Sequence, residues 1–445
     1  MPRLSLLFVT LIVVVLSGCG RRPAGPPVPG TPEISASGDD ASSAAAAESP
    51  DDTPAGSPDD WPSWRGGVDG IARGPAVPTT WSKDEHVVWR TKLAGRGHSS
   101  PIIHGDRIYL ETADEQAETQ SVVCLNRETG EQLWQRELHK GNLERQMHPE
   151  NSQATSTLLC DGKRVIAVFL NDRKIWVTAL DLDGKELWRT EAGSFSSKFG
   201  YSASPVPFGR AVIIAADHQQ GGFLASLDRA TGKILWRKAR PERSSYATPR
   251  IVDRGANDQQ LVIAGCRLLA SYNPRTGEQL WATDGTAESA VGTPVVWNDL
   301  VLASGGYPEQ DTLAVKPDGS VAWRKDVKAY CTSMLVHADH LYFVSDDGIA
   351  RCHDLSDGRE KWKQRLGGNF RVSPILSGDN IYITNMAGKT TVFRADPTKF
   401  IKVAENQVGD EGFASPAVSA GRLYIRTAEG AGGARQEWLY CIGEK

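Results

Sequence analysis

The sequence contains few of the short motifs that indicate a particular chemistry. It has no glycine-rich phosphate loop, no Cys/His spacing of the zinc-site kind and no Gly-x-Ser-x-Gly nucleophile elbow. Its net charge is only −4, from 50 basic and 54 acidic side chains, so no excess of positive charge indicates nucleic acid as a partner. These absences argue against nucleotide-dependent, zinc-dependent and nucleic-acid-binding functions.

Long apolar runs are missing too, apart from one short N-terminal stretch. Leu4 to Leu16 is mostly apolar, follows a basic residue and is too short to span a bilayer comfortably, which predicts a secretory signal over residues 1–18. The sequence ending at Cys19 (Leu-Ser-Gly-Cys) resembles a bacterial lipobox, which implies lipidation of that residue; the alternative is an ordinary signal peptide. By the same resemblance, Gly20 implies the outer membrane facing the periplasm, with the inner membrane or the cell surface as alternatives.

Residues 19–59 are rich in Pro, Ala, Gly, Ser and Asp and have almost no large apolar side chains. Such a segment cannot bury enough surface to offset the entropy of ordering, so we predict a disordered tether. The ends of a flexible coil of this length lie on the order of 35 Å apart. The folded domain is predicted over residues 60–445, joined to a membrane by the lipid and the tether.

The folded part is built on a repeat, most legible in Asn126-Arg-Glu-Thr-Gly-Glu-Gln-Leu-Trp134. Close copies end at Trp236 and Trp281, and shortened copies end at Trp188, Trp323 and Trp362. The Asp or Asn opens a tight turn, the Gly takes a positive φ, and the Trp falls on the strand that follows. Because short β-branched strands separate copies spaced by about 40 to 55 residues, each unit is predicted to be one four-stranded propeller blade.

A second marker counts the blades. Each unit opens with a Ser/Thr-Pro step or its relic, at Ser100, Ser156, Ser204, Thr248, Thr293, Ser333, Ser373 and Ser415. The last unit supplies only three strands, whereas His86 to Leu93 is a fourth-strand sequence with no strands before it. We therefore predict an all-β, eight-bladed β-propeller closed by an N-terminal strand. Seven blades is the alternative, because the unit ending near Ala404 has lost its Trp.

Six cysteines follow Cys19, and their placement argues against a disulfide framework. Cys124, Cys352 and Cys441 occupy one position of the repeat, where other units have Ala or Ser. A small buried side chain explains that position. Cys331 and Cys352 are predicted on the first and third strands of one blade, roughly 10 Å apart and beyond disulfide reach.

The repeat resembles the tryptophan-docking motif of PQQ-type, quinoprotein-like propellers. Trp61-Pro-Ser-Trp64-Arg-Gly66 resembles the opening of bacterial PQQ-like repeat lipoproteins related to the outer-membrane assembly factor BamB. The resemblance covers residues 60–445 and is more specific for fold than for function. The opening segment is predicted to be a plug or strap. Each structural Trp is predicted to pack on the next blade and to donate its indole N–H to a backbone acceptor there. These residues are Trp89, Trp134, Trp188, Trp236, Trp281, Trp323 and Trp362.

The loops just before the Ser/Thr-Pro steps are predicted to surround one mouth of the central channel. The longest of them is His139 to Gln153. An aromatic and polar ring of this kind suits a surface that binds a peptide or a sugar, whereas the alternative is a rim that only caps the channel. The candidate binding residues are His98, His148, Asn151, Tyr201, Tyr246, Tyr330, Phe370, Arg371 and Phe413.

The resemblance also raises the question of a cofactor. It implies that a PQQ dehydrogenase would have adjacent cysteines, carboxylate and amide ligands for Ca²⁺ and an Asp base. The chain has no Cys-Cys pair, and His337-Ala-Asp-His340 falls in a predicted hairpin turn. We expect no cofactor, with PQQ and Ca²⁺ as the alternative, and we assign no catalytic or metal-binding residues.

The function implied by the resemblance is a membrane-anchored, non-catalytic scaffold that binds a protein partner in outer-membrane protein assembly. Two other functions stay open from the sequence. One is a PQQ-dependent or other redox enzyme, and the other is a module that binds carbohydrate or another small ligand.

Overall fold

The structure is a computed structural model that describes residues 57–67, 69–145, 147–255, 258–430 and 433–444. The predicted signal peptide, Cys19 and all but the last residues of the predicted tether lie outside the described residues. Within those ranges, no helix has the length and apolar character needed to cross a bilayer. The strands form eight four-stranded antiparallel sheets, the blades of a β-propeller, and a short 3-10 helix spans Trp64–Gly67.

The strands follow chain order, except that the first of them, β1 (Val87–Leu93), belongs to the last blade. Blades 1 to 4 contain β2 (Ile102–His104), β3 (Arg107–Asp114), β4 (Thr119–Asn126) and β5 (Gln132–Lys140); β6 (Leu159–Cys160), β7 (Arg164–Asn171), β8 (Lys174–Asp181) and β9 (Glu186–Ser194); β10 (Val206–Phe208), β11 (Ala211–Ala216), β12 (Phe223–Asp228) and β13 (Ile234–Ala239); and β14 (Arg250–Asp253), β15 (Gln259–Gly265), β16 (Leu268–Tyr272) and β17 (Gln279–Asp284).

Blades 5 to 8 repeat the arrangement. They contain β18 (Val295–Trp297), β19 (Leu300–Gly305), β20 (Asp311–Val315) and β21 (Val321–Lys325); β22 (Leu335–His337), β23 (His340–Val344), β24 (Ile349–Asp354) and β25 (Glu360–Arg365); β26 (Ile375–Ser377), β27 (Asn380–Thr384), β28 (Lys389–Arg394) and β29 (Lys402–Gln407); and β30 (Ala417–Ser419), β31 (Arg422–Glu429), β32 (Gln436–Ile442) and β1.

Burial changes from the inner to the outer strands of each blade. Every residue of β11 is buried, because neighbouring blades cover both faces of that strand. The outer strand β13 is exposed at every position except the half-buried Trp236. Consecutive apolar residues on the middle strands therefore form the core between blades.

The N-terminal strand closes the ring as predicted. β1 pairs antiparallel with β32, and Trp89 lies opposite Cys441. Blade 7 has a full set of four strands, although its outer strand lacks a Trp. The prediction of eight blades is confirmed, and the alternative of seven is wrong.

The repeated Trp residues connect each blade to the next. Six of them donate the indole N–H to a backbone carbonyl of the following blade at 2.8–3.1 Å: Trp89 to Arg127, Trp134 to Leu182, Trp188 to Arg229, Trp236 to Pro274, Trp323 to Leu355 and Trp362 to Asp396. The ring also covers the turn glycine of that blade. A Cβ added to Gly232, which has φ +72°, would lie 2.5 Å from the ring of Trp188. The repeat therefore needs Gly both for the turn and for the docked indole.

Trp281 makes the same connection through a side chain. Its indole N–H donates to the Oε1 atom of Gln260 on its own blade at 3.1 Å. The Nε2 atom of Gln260 in turn donates to the carbonyl of Pro317 on blade 5 at 3.3 Å. Gln260 therefore relays the contact that the other Trp residues make directly.

The missing Trp of blade 7 is a consequence of ring closure. Ala404 lies opposite Val392, where the other outer strands have their Trp. A Trp there would dock on the turn between the third and fourth strands of blade 8, but those two strands come from opposite ends of the chain. Trp81 packs here instead, stacked on Tyr382 with 6.3 Å between ring centroids, and its backbone N–H donates to Asn406 on β29 at 2.9 Å.

Cysteines occupy the position that the repeat predicts. Cys124, Cys352 and Cys441 are buried, and each lies opposite the Trp of its blade on the neighbouring strand. Each of the six cysteines in the described chain is a free thiol. One placement was wrong: Cys331 precedes β22 and lies at the channel mouth, not on the first strand.

The segment of residues 57–77, which we call the strap, crosses one end of the propeller. Trp61 forms an antiparallel bridge to Ile103 on β2, and Ile71 forms a parallel bridge to β26. Between these points, Arg65 is buried and its Nη2 atom donates to the carbonyl of Met334 at 2.8 Å. The strap therefore ties blade 1 to blades 6 and 7 across the channel, as the plug-or-strap prediction expects.

Candidate functional site

A ring of hydroxyl groups surrounds the throat of the channel where the first strands begin. The backbone N–H of a Ser or Thr in one blade donates to the hydroxyl of the equivalent residue in the next. Six such hydrogen bonds, at 2.9–3.1 Å, are from Ser100 to Thr157, Thr157 to Ser204, Ser204 to Thr248, Thr293 to Ser333, Ser333 to Ser373 and Ser373 to Ser415. This hydrogen bond explains why a Ser or Thr recurs at the start of each unit. In blade 2 the hydroxyl group involved belongs to Thr157, not to Ser156.

Above this throat lies a cavity of about 670 Å³, to which residues from all eight blades contribute. Trp64 of the strap forms part of its lining from the opposite end of the channel, and its indole N–H donates to Thr293 at 2.9 Å. Because the strap crosses the channel beneath it, the cavity is a pocket with an open mouth and a closed floor. Its volume falls within the range of about 300–1,000 Å³ typical of small-ligand sites.

Seven of the nine candidate residues lie around this cavity: His98, His148, Asn151, Tyr246, Tyr330, Arg371 and Phe413. Tyr201 and Phe370 do not. Tyr201 is 6% exposed, packs on Phe195 and donates its hydroxyl to the carbonyl of Ala215 at 3.1 Å. Phe370 is buried in the core between blades 6 and 7.

Three aromatic residues of the lining were not among the candidate binding residues predicted from the sequence: Trp64, Phe199 and Tyr307. Tyr307 lies in the hairpin between β19 and β20, and Gln219 and Gln220 lie in the equivalent hairpin of blade 3. In an antiparallel blade, the hairpin between the second and third strands reaches the same end as the loop before the first strand. That topology was a usable signal for Tyr307.

The long loop between blades 1 and 2 reaches across the mouth. Glu150 accepts hydrogen bonds from Arg371 of blade 7 at 3.1 Å, although the two residues are 221 positions apart. Asp346 lies on the other side of the same guanidinium, at 3.6 Å. The side chain of Asn151 also holds the loop, because it donates to the carbonyl of Phe199 in the segment between blades 2 and 3.

His98 is a buried titratable group of the lining, with 8% of the residue exposed. Its ring stacks on Phe413 with 4.5 Å between centroids, and its Nε2 atom has no hydrogen-bond partner among the described residues. Burial, together with the charges of Arg96 and Arg426, holds the pKa of His98 well below its usual range. The imidazole is therefore neutral at physiological pH, and its Nε2 atom is enclosed within the protein.

A buried carboxyl lies beside this site, between blades 1 and 2. Oε1 of Glu111 accepts from the N–H of Val168 at 3.1 Å, whereas Oε2 has no partner among the described residues. Burial raises the pKa of Glu111 well above its ordinary value. As pH rises above about 4.5, unfolded chains release this proton before folded ones, and the free energy of unfolding falls by about 1.4 kcal/mol per pH unit until the folded pKa is reached.

Replacing Glu111 with Gln should remove that dependence. We expect the melting temperature of Glu111→Gln to rise relative to the parent as pH increases from about 4.5, because the amide keeps the acceptor and carries no proton to lose. Thermal unfolding followed at several pH values measures the difference. Glu137→Gln, on the exposed outer strand of the same blade, is the matched control. A difference that does not change with pH would contradict the assignment.

The lining does not fit the Ca²⁺ that accompanies PQQ in quinoproteins. The two carboxylates at the cavity, Glu150 and Glu288, each have an arginine partner, Arg371 at 3.1 Å and Arg243 at 3.0 Å. Among the described residues, no group of three or more His, Cys, Asp or Glu side chains is placed to hold a metal ion. The carboxylate set needed by that ion is therefore not provided.

The closed ring of eight blades, joined by indole contacts and carrying a mouth cavity, defines a β-propeller with PQQ-like repeats. The chain belongs to the family described as "Outer membrane protein assembly factor BamB", whose model matches residues 71–172, 173–288 and 265–440.

Curated relatives are distant. BamB of Burkholderia pseudomallei is 23% identical over 272 residues, 60% of this chain and 65% of the relative. BamB of Legionella pneumophila is 24% identical over 195 residues, 41% of this chain and 49% of the relative. The matches thus span between about half and two-thirds of the relatives' own lengths.

Solved structures share the fold. BamB from Moraxella catarrhalis superposes with a TM-score of 0.58 at 16% identity, covering 79% of this chain and 98% of that one. A europium-containing methanol dehydrogenase superposes with a TM-score of 0.64 at 11% identity, covering 87% and 98%. At these identities the likeness concerns the fold alone.

Proposed function

We propose that the protein is a membrane-anchored, non-catalytic scaffold that binds a protein partner during outer-membrane protein assembly. The observation that carries the proposal is the family match, which extends over all eight blades. The curated relatives bear the name of an assembly factor. The anchor is Cys19, in the outer membrane, with the propeller in the periplasm.

The rim of the cavity is the surface we assign to the partner. Tyr307 is 63% exposed there, on a hairpin that projects from blade 5. The loop that carries His148 and Glu150 forms the other side of the rim. Exposed aromatic side chains next to arginine are typical of the residues that contribute most to protein binding.

Complementation tests the proposal. Deleting the gene in its own bacterium is expected to lower the amount of outer-membrane proteins in their folded, heat-modifiable form. The parent gene should restore it, and Tyr307→Asp should not, because a charge on the rim opposes desolvation of the interface. Leu280→Asp, at a position 46% exposed on the outer strand β17, is the matched control and should restore it. Normal levels in the deletion strain would refute the assembly role.

The same strains test the anchor. Cys19→Ala should leave the chain unprocessed or soluble, because lipidation at that residue is the proposed attachment. Membrane partitioning in cell fractions measures this. Unchanged partitioning would contradict the lipoprotein assignment.

The proposal includes no quinone. Titration of the protein with PQQ and Ca²⁺, followed by absorbance and thermal unfolding, should give neither a bound-quinone spectrum nor a shift. A ligand that binds only the folded state at a hundred times its dissociation constant stabilises it by about 2.7 kcal/mol, so binding would be readily detected. A saturable shift would refute the non-catalytic assignment.

A further inference from the structure

The mouth cavity carries an inference that is independent of the scaffold function. We propose that it is a binding site for a neutral, polyhydroxylated ligand, a short oligosaccharide. The argument rests on the shape of the cavity, its charge, its free hydrogen-bonding groups and its aromatic faces.

The shape suits a compact ligand better than a flat protein surface. Ser204 and Thr248 of the hydroxyl ring and Trp64 of the strap all belong to its lining, and Trp64 is held there by its hydrogen bond to Thr293. A ligand entering from the mouth would be surrounded by all eight blades, the degree of enclosure typical of small-molecule sites.

The charges of the lining are balanced, which argues against a strongly charged ligand. Glu150 and Glu288 are opposed by Lys198 and Arg371 in the wall itself. Arg371 is held by Glu150 and Asp346, and Glu288 is held by Arg243. Lys198 is the one wall charge with no carboxylate partner among the described residues, so desolvating a ligand with several charges would be compensated at one position at most.

The remaining polar groups are neutral hydroxyls and amides. Ser196, Ser202, Ser244, Gln219 and Gln220 face the cavity from blades 2 to 4. Their side chains supply the neutral donors and acceptors that the hydroxyl groups of a ligand need.

Aromatic rings complete the site. Phe199 meets Tyr246 edge to face with 6.0 Å between centroids, and Phe413 stacks on His98. A sugar ring has apolar C–H faces and hydroxyl groups around its edge, so it can use aromatic faces and neutral polar groups together.

The test uses the full chain, solubilised in a detergent without a sugar headgroup. Maltohexaose, cellohexaose and chitohexaose are titrated separately by calorimetry, and the uncharged peptide (Ser-Gly)₃ is the comparison probe. We expect saturable binding of at least one oligosaccharide and none of the peptide. Absence of binding by all three sugars at millimolar concentration would overturn the proposal, as would peptide binding in their place.

Two variants locate the site. Gln220→Ala removes one side-chain amide from the cavity wall, so affinity should fall by about tenfold, the effect of losing one hydrogen bond to the ligand. Ser244→Trp fills the cavity and should abolish binding without removing a core contact. Leu280→Ala on the outer strand should bind as the parent does. Equal affinity in all variants would place the sugar elsewhere and overturn the assignment, while the assembly test above is unaffected.

Discussion

Deleting residues 61–93 is expected to abolish cooperative unfolding. The deletion removes the strap and β1, so blade 8 is left with three strands and β32 becomes an open edge. It also removes Trp89, whose indole N–H joins blade 8 to blade 1 at Arg127. A propeller without its closing strand has two unpaired ends in place of a continuous ring.

Urea and thermal denaturation, followed by circular dichroism and tryptophan fluorescence, measure this effect. The parent should give coincident transitions with both probes, and the deletion a broad or absent one. Deleting residues 25–50 from the predicted tether is the matched control and should leave the transition unchanged. A 61–93 deletion that melts like the parent would show that the strand does not close the ring.

Removing Asp217 is expected to destabilise the protein by about 3–5 kcal/mol, the cost of leaving a buried charge without its partner. Asp217 accepts two hydrogen bonds from Arg240, at 2.8 and 2.9 Å, and the side chains are only 3% and 0% exposed. Arg240 also donates to the hydroxyl of Tyr272 on blade 4 at 3.0 Å. In Asp217→Ala the guanidinium stays buried between two blades with one neutral partner.

A second variant separates the pair from the packing around it. Asp217→Leu combined with Arg240→Met replaces both charges with apolar groups, and we expect it to recover most of the lost stability, because such replacements are often neutral or better. Denaturant unfolding gives the free energies. A double variant as unstable as Asp217→Ala would show that the loss comes from packing and not from the unpaired charge.

The repeat alone was sufficient to predict the architecture. The Gly and Trp of each copy are both required by one contact, since the indole of one blade covers the turn of the next, as Trp188 covers Gly232. A physical requirement that recurs in every blade leaves a periodic signal. The hydroxyl ring left the second signal for the same reason, and that marker occurs eight times, whereas the Trp is present in seven of the eight units.

Contacts that occur at only one position in the ring of blades left no periodic signal in the sequence. In the sequence, Ala404 looked like the end of a repeat that had lost its Trp. Only the structure shows that Trp81, from the segment before β1, packs at that place instead. Gln260 lies in an ordinary strand, and its hydrogen bonds to Trp281 and Pro317 depend on how blades 4 and 5 pack. Contacts that occur once are determined by the packing of the folded chain and leave no repeated pattern in the sequence.

The candidate site was predictable by topology more than by residue type. His98, Tyr246 and Arg371 were found because they precede first strands, which all begin at one end of the channel. Tyr201 met the same criterion, but its hydroxyl reaches a backbone carbonyl in the core. The direction of a loop side chain depends on local backbone angles that a sequence pattern does not specify.

The strap makes the two ends of the propeller channel different. Asp60 accepts a hydrogen bond from the N–H of Gly105, in the turn that ends β2, whereas His98 precedes the start of that strand. The described chain therefore begins at the end of the channel away from the cavity. With the strap across that end, soluble partners and ligands reach the channel from its mouth.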